Sequence, residues 1–150
     1  MGIRTKRWND PVRPDDGLRI LICRYRPRGL RKEKENWDLW ARELGPSEPL
    51  HAAAYGKTGA ILPFDEYRRL YLQEMQAHRA QISDLAARVK RGETITLLCS
   101  SACVDPGRCH RTLLKELIEA ELPVELRSPA EPTPTGIVNP AYDKLKSWLE

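Results

Sequence analysis

A layered α/β fold, with a mostly parallel sheet flanked by helices in a single domain, is the class this sequence predicts. Three observations carry that reading. Leu18–Cys23 and Thr94–Cys99 are short apolar runs rich in β-branched residues, as strands are. A long helical pattern from Phe64 to Arg91 separates them, and strands alternating with helices argue for α/β layering. Thr94–Cys99 is also apolar nearly throughout, the pattern of a central strand covered on both faces.

Taken in order, Ile3–Trp8 reads as a first short strand, closed by Asn9-Asp10-Pro11. Pro14-Asp15-Asp16-Gly17 is a turn signal, and Pro27 and Gly29 end the strand that starts at Leu18. Trp37, Trp40, Ala41 and Leu44 are spaced as one face of a helix, which Gly45-Pro46 stops. Leu50–Gly59 predicts a loop or a short helical piece. From Phe64 to Arg91, Phe64, Tyr67, Tyr71, Met75, His78, Ile82, Leu85 and Val89 recur every three or four residues. Pro63 precedes this stretch and Gly92 follows it, so it predicts one long helix or two in line. A helix from Cys109 to about Glu121 would bury Leu113, Leu114, Leu117 and Ile118, and Leu122–Leu126 predicts a last edge strand. Residues 1–127 then form the α/β domain, 128–137 a proline-rich linker, and 138–150 a C-terminal helix.

Charge and cysteine usage narrow the function classes. Lys and Arg outnumber Asp and Glu by 25 to 21, which permits an anionic partner. It falls short of the clustered basicity of a dedicated nucleic-acid binder. No run approaches the about 20 apolar residues of a membrane span, so no membrane partner is expected. The opening residues carry charge with no apolar stretch behind them, unlike a secretory signal. Four cysteines, Cys23, Cys99, Cys103 and Cys109, are few for a disulfide scaffold. A cytoplasmic location with reduced thiols is therefore the expectation.

The chemistry gathers after Thr94–Cys99, where a loop leads into a helix opened by Cys109-His110-Arg111. In open α/β sheets ligands collect beyond the carboxyl ends of strands, where helix N-termini present unpaired N–H groups. A cysteine there has its thiolate favoured by the helix dipole, and Arg108 and Arg111 add positive charge. Cys109 would thus be a nucleophile with a lowered pKa, supported by His110 or Arg111. The same groups would equally hold a phosphate or carboxylate with no covalent step. A second cationic turn, Arg24 to Lys32, follows the strand Leu18–Cys23, so Arg24 and Arg28 join Arg108 and Arg111 as candidate anion-binding residues. The plain alternative is that Glu33 and Glu35 neutralise that turn, and that Cys109 merely packs. His51 and His78 are weaker candidates, and His78, on the apolar face of the long helix, is read as a packed residue rather than a ligand.

Zinc deserves weighing, because Cys99, Cys103, Cys109 and His110 are four soft donors within twelve residues. Their spacing lacks the paired knuckles of structural zinc sites and counts against a tetrahedron, so neither metal nor other cofactor is expected. Three readings follow: a binding pocket for an anionic small molecule or nucleic acid, a cysteine-dependent enzyme using Cys109, or a structural or accessory protein.

Several pieces of this chain stand in a distinctive order: Asp16-Gly17-Leu18-Arg19-Ile20-Leu21, then Arg24-Tyr25-Arg26-Pro27-Arg28-Gly29-Leu30 with Lys32, then Trp37 and Leu44-Gly45-Pro46-Ser47. Tyr67 and Tyr71 with Arg68 and Arg69 follow, and then the strand leading to Cys109-His110-Arg111. In that order they resemble the bacterial and archaeal proteins grouped as domain-of-unknown-function family 488. The resemblance runs from Ile3 to about Ala120 and implies a small α/β fold, with no particular activity attached. Against the family pattern, Cys23 stands where an aspartate precedes the first arginine, and Arg26 where a tryptophan precedes the proline. The loop holding Cys103 is longer than usual.

Overall fold

The computed structural model describes residues 2–127; the linker and C-terminal helix expected over 128–150 lie outside the described residues. Four strands, β1 (Gly2–Arg7), β2 (Leu18–Leu21), β3 (Leu39–Trp40) and β4 (Thr94–Cys99), make one sheet in the order β1-β4-β2-β3. Every pairing is parallel, with Ile3 opposite Ile95, Ile20 opposite Leu97, and Leu21 opposite both Leu98 and Trp40. The α/β expectation holds. β4 has a hydrogen-bonded neighbour on each side and is buried from Ile95 to Cys99, which is why its sequence lacks a polar alternation.

Among the described residues, four helices pack with the sheet: α1 (Glu48–Ala54), α2 (Phe64–Met75), α3 (Arg79–Lys90) and α4 (His110–Glu119). Ile20, Ile22, Ile95 and Leu97 form the main core with Tyr71 and Met75 of α2, Ile82 and Val89 of α3, and Leu114 and Leu117 of α4. Leu21, Cys23 and Leu98, the alternate residues, enter a second cluster with Cys99 and Cys109, against which Trp8 and Trp37 pack. The pattern from Phe64 to Arg91 thus resolves into two helices, joined by a 3₁₀ turn at Gln76–His78. The Ser47 hydroxyl caps α1 by accepting from the Leu50 N–H at 3.3 Å, and the Glu74 carboxylate of α2 accepts the Ser47 N–H at 2.8 Å.

Two expected elements are different in the fold. The helix predicted around Trp37–Leu44 is the edge strand β3 followed by a 3₁₀ turn, Arg42–Leu44. The free edge of β2 decides this: the Asp38 N–H donates to the Arg19 carbonyl and the Ala41 N–H to that of Leu21, both at 2.8 Å. Leu39 and Trp40 remain largely exposed, so the apolar spacing that suggested a buried helix face marks an edge strand instead. The edge strand expected at Leu122–Leu126 is a 3₁₀ turn over Val124–Leu126, in which the Leu126 N–H returns to the Pro123 carbonyl. Pro123 has no N–H to offer a ladder, and Val124 faces solvent.

One glycine is dictated by the packing of β2 on β4. Gly17 has φ +66°, and a Cβ there would come within 2.1 Å of the Thr94 carbonyl oxygen. Asp16, just before it, is fully buried, and its carbonyl accepts the Thr96 hydroxyl at 2.6 Å.

Candidate functional site

Beyond the carboxyl ends of β2 and β4, the chain leaves an open cavity of about 1230 Å³. The order of the sheet places it there, because β2 and β4 are adjacent and parallel, so the segments following them emerge side by side. One wall is the cationic turn Arg24–Arg28; the opposite wall is the loop Ser100–Asp105 with Arg108, Cys109 and His110. α1 and the start of α2 close the third side with His51, Tyr55, Phe64 and Tyr67. The two arginine-bearing segments singled out from the sequence therefore share one cavity.

Their individual positions differ. Arg24 is steadied by donation from its Nε to the Pro46 carbonyl at 3.0 Å, and Arg26 pairs with Glu35 at 2.6 Å. Glu35 thus neutralises part of that turn, as the plain reading expected, but only part. Arg24, Arg28 and Lys57 have no acidic partner among the described residues, and Asp105 is the single acid along the cavity wall. Arg108 is mostly exposed and stands 4.0 Å from Asp105. Arg111 is not on the wall: it is buried behind the loop, where Nη2 donates to the Cys103 carbonyl at 3.3 Å.

At the base of the cavity three sulfurs meet. Cys99 ends β4, Cys109 is the residue before α4, and the loop between them folds back through a Cys103 N–H to Ser100 carbonyl bond of 3.0 Å. Cys99 Sγ lies 3.1 Å from both Cys103 Sγ and Cys109 Sγ, and all three fall within 4.8 Å of one another. The sequence spacing that argued against a shared site is overcome by this return of the loop. His110 lies beside them, with Nδ1 at 3.8 Å from Cys99 Sγ and 4.0 Å from Cys109 Sγ. Its Nε2 is 2.8 Å from the Ile22 carbonyl oxygen, which can only accept, so Nε2 carries the proton and the Nδ1 lone pair faces the sulfurs.

The model of the active DUF488-N3 subclade matches residues 3–122. The chain belongs to this family. Within DUF488-N3's neighbourhood, it is 36% identical over 101 residues to a protein of Escherichia coli K12 named Uncharacterized protein YeaO, covering 67% of this chain and 84% of that one. It is 27% identical over 118 residues to Uncharacterized protein Rv3073c of Mycobacterium tuberculosis, covering 77% of this chain and 92% of that one. No solved structure matches it. Among the described residues of this DUF488-N3 chain, no helix is long and apolar enough to cross a membrane.

Electrostatics assign the sulfurs different parts. The thiols titrate as one group, because each feels its neighbours' protons. Donation from Cys109 and from Cys99 holds the Cys103 thiol far below its ordinary value. Cys99 is pushed well up by its bonds to Cys103, Cys109 and Cys23 and by burial, and Cys109 is pushed up by its bond to Cys103 and by burial. The lowered Cys109 pKa expected from a helix N-terminus is therefore reversed: Cys109 is only 2% exposed and is pushed up, and the lowered thiol is Cys103. Burial also lowers His110, keeping its ring neutral. Iodoacetamide added to the reduced, chelator-treated protein is expected to alkylate Cys103 first, since the other three thiols are buried. Mass spectrometry of the peptides checks this, and earlier labelling of Cys109 would contradict the packing.

The cavity also contains aromatic residues to which the sequence reading gave no role at the site. Tyr25, His51 and Tyr55 form a ladder of rings, with centroids 5.0 Å apart for Tyr25–His51 and 4.6 Å for His51–Tyr55. Tyr25 and Tyr55 are about half exposed. His51 on α1 and Tyr55 just past its end stand four residues apart, and that i, i+4 pairing was the available signal. What the sequence alone does not reveal is that Tyr25, from the cationic turn, meets them.

Proposed function

We propose that the cavity binds a nucleotide, with its phosphate among Arg24, Arg28, Lys57 and Arg108 and its base against the Tyr25–His51–Tyr55 ladder. The observation that carries this reading is the imbalance along the cavity wall: with Arg26 taken by Glu35, Arg24, Arg28, Lys57 and Arg108 face one carboxylate, that of Asp105. Cations gathered in a partly enclosed space repel one another, and a phosphate relieves that repulsion while taking charge-assisted hydrogen bonds from the guanidinium forks. Exposed aromatic rings beside such a site favour a ligand with a flat π-face over phosphate alone. Arg111, behind the loop, acts by steadying the Cys103 carbonyl and adding positive potential rather than by touching the ligand.

Isothermal titration with a nucleoside monophosphate, the matching nucleoside, inorganic phosphate and a short single-stranded oligonucleotide tests this. The monophosphate is expected to bind more tightly than either of its halves, and binding should weaken as salt is raised. Equal affinity for the nucleoside would remove the phosphate from the reading, and no binding by any of the four would overturn it. A preference for the oligonucleotide would shift the ligand to a nucleic-acid strand.

A second reading, a cysteine-dependent enzyme, is supported by the thiolate at the cavity wall and by the description of the subclade as active. It places the nucleophile at Cys103, the thiol that is held below its ordinary value and is the least buried of the four, and leaves Cys109 as its hydrogen-bonding neighbour.

A further inference from the structure

We propose that Cys99, Cys103 and Cys109 bind a zinc ion, with His110 Nδ1 as the fourth ligand. The inference is independent of the nucleotide reading, because it rests on the base of the cavity and not on its cationic wall. Three observations lead to it.

The first is the convergence itself. Sulfurs from a strand end, a loop and a helix start approach to 3.1 Å on two edges. A tetrahedral zinc ion with metal–sulfur bonds of about 2.3 Å needs its sulfurs about 3.8 Å apart. The trio therefore has to open by only a fraction of an ångström along those edges to admit the ion. Cys103, on a half-exposed loop, is the member free to give way.

The second is the donor chemistry. Three thiolates side by side would repel one another strongly, whereas a divalent cation among them turns that repulsion into attraction, and soft sulfur ligands select zinc over magnesium or calcium. Binding replaces the sulfur-bound protons, which leave to solvent, so no oxidant or reductant is consumed.

The third concerns His110. Metal-bound histidines commonly donate their other ring N–H to a fixed acceptor, which sets the tautomer and aims the lone pair. Here the Ile22 carbonyl does this at 2.8 Å, and the free Nδ1 stands 3.8 and 4.0 Å from Cys99 and Cys109 but outside the 4.8 Å group that the three sulfurs form, so the loop movement that opens the trio must also bring Cys103 toward His110. Cys23 is the remaining cysteine; it is hydrogen-bonded to Cys99 but lies outside the group formed by the three sulfurs, so it is not assigned as a ligand.

Cobalt(II) serves as the optical probe, added to untagged, reduced full-length protein under anaerobic conditions. The expected result is one cobalt per chain, with sulfur-to-cobalt charge transfer in the near ultraviolet and the intense visible bands of a tetrahedral site. Zinc(II) should bleach both and protect Cys103 from iodoacetamide. Cys103→Ser, at the least buried of the three positions, should weaken metal binding about a hundredfold or more while leaving the circular dichroism unchanged. Cys23→Ser should keep the cobalt spectrum intact. A weak octahedral spectrum, or equal affinity in Cys103→Ser and the parent, would overturn the site. So would a disulfide among the trio together with no metal uptake by the reduced protein. Loss of the tetrahedral bands in Cys23→Ser would overturn the assignment of His110.

Discussion

Arg28→Glu is expected to weaken binding of a nucleoside monophosphate by about tenfold to a hundredfold. A hydrogen bond to a charged group contributes about 1.5–3 kcal/mol, and the substitution also places a carboxylate against the phosphate. Arg28 suits this test because it has no acidic partner among the described residues and a cavity-facing position, so its replacement leaves the core untouched. Arg24 suits it less, since its Nε also holds the Pro46 carbonyl. Arg28→Lys should fall between the parent and Arg28→Glu, keeping the charge but losing the planar fork. Titration calorimetry at two salt concentrations provides the measurement. Unchanged affinity in Arg28→Glu would mean the phosphate does not sit in this wall.

Asp16→Asn is expected to cost about 3–5 kcal/mol of stability, the usual result of leaving buried cations without their partner. Asp16 is 1% exposed and accepts from Lys6 Nζ at 2.6 Å, from the Arg13 N–H at 3.0 Å and from the buried Arg19 guanidinium. Removing its charge strands Arg19 beneath the sheet, and thermal unfolding should move down by about 10–20 °C. The pH dependence has a definite sign. Burial opposes ionisation of Asp16, yet the hydrogen bonds from Lys6 and the Arg13 backbone outweigh it, and the carboxyl lies below its ordinary value. A depressed carboxyl contributes stability above its unfolded pKa of about 3.9 and loses it as the pH falls through the folded value. The parent should therefore lose this increment in acid while Asp16→Asn does not, so their denaturation midpoints converge below about pH 3.9. A loss of less than about 1 kcal/mol at neutral pH would show that Arg19 and Lys6 find other partners.

Both results bear on the site, because Asp16 and Gly17 set how β2 begins and thus where Arg24–Arg28 emerges. Gly45 makes the same point from the other end of the strand. A Cβ at Gly45 would approach the Arg24 nitrogen to 2.6 Å, so the Leu44-Gly45-Pro46-Ser47 segment is shaped to lie against the cationic turn.

Much of this molecule follows from the sequence by itself. The strands β1, β2 and β4, the helices α2, α3 and α4, and the parallel layering were all legible. Their apolar runs and three-to-four-residue repeats report local geometry and burial directly. The meeting of two cationic segments was also foreseeable, since both follow strands. Where the chain's hydrogen bonds go to distant partners, local pattern misleads. Trp37 and Trp40 have helical spacing, but the open edge of β2 claims the backbone around them as a strand. Cys109 has the sequence position of an activated thiol, but packing against Cys99 and Cys103 removes it from water and pushes its thiol up, while that of Cys103 is lowered. The sulfur trio and the Tyr25–His51–Tyr55 ladder belong wholly to the tertiary structure. Each joins side chains from separate elements, and only the folding of the Cys99–Cys109 loop and the docking of α1 decide that they touch.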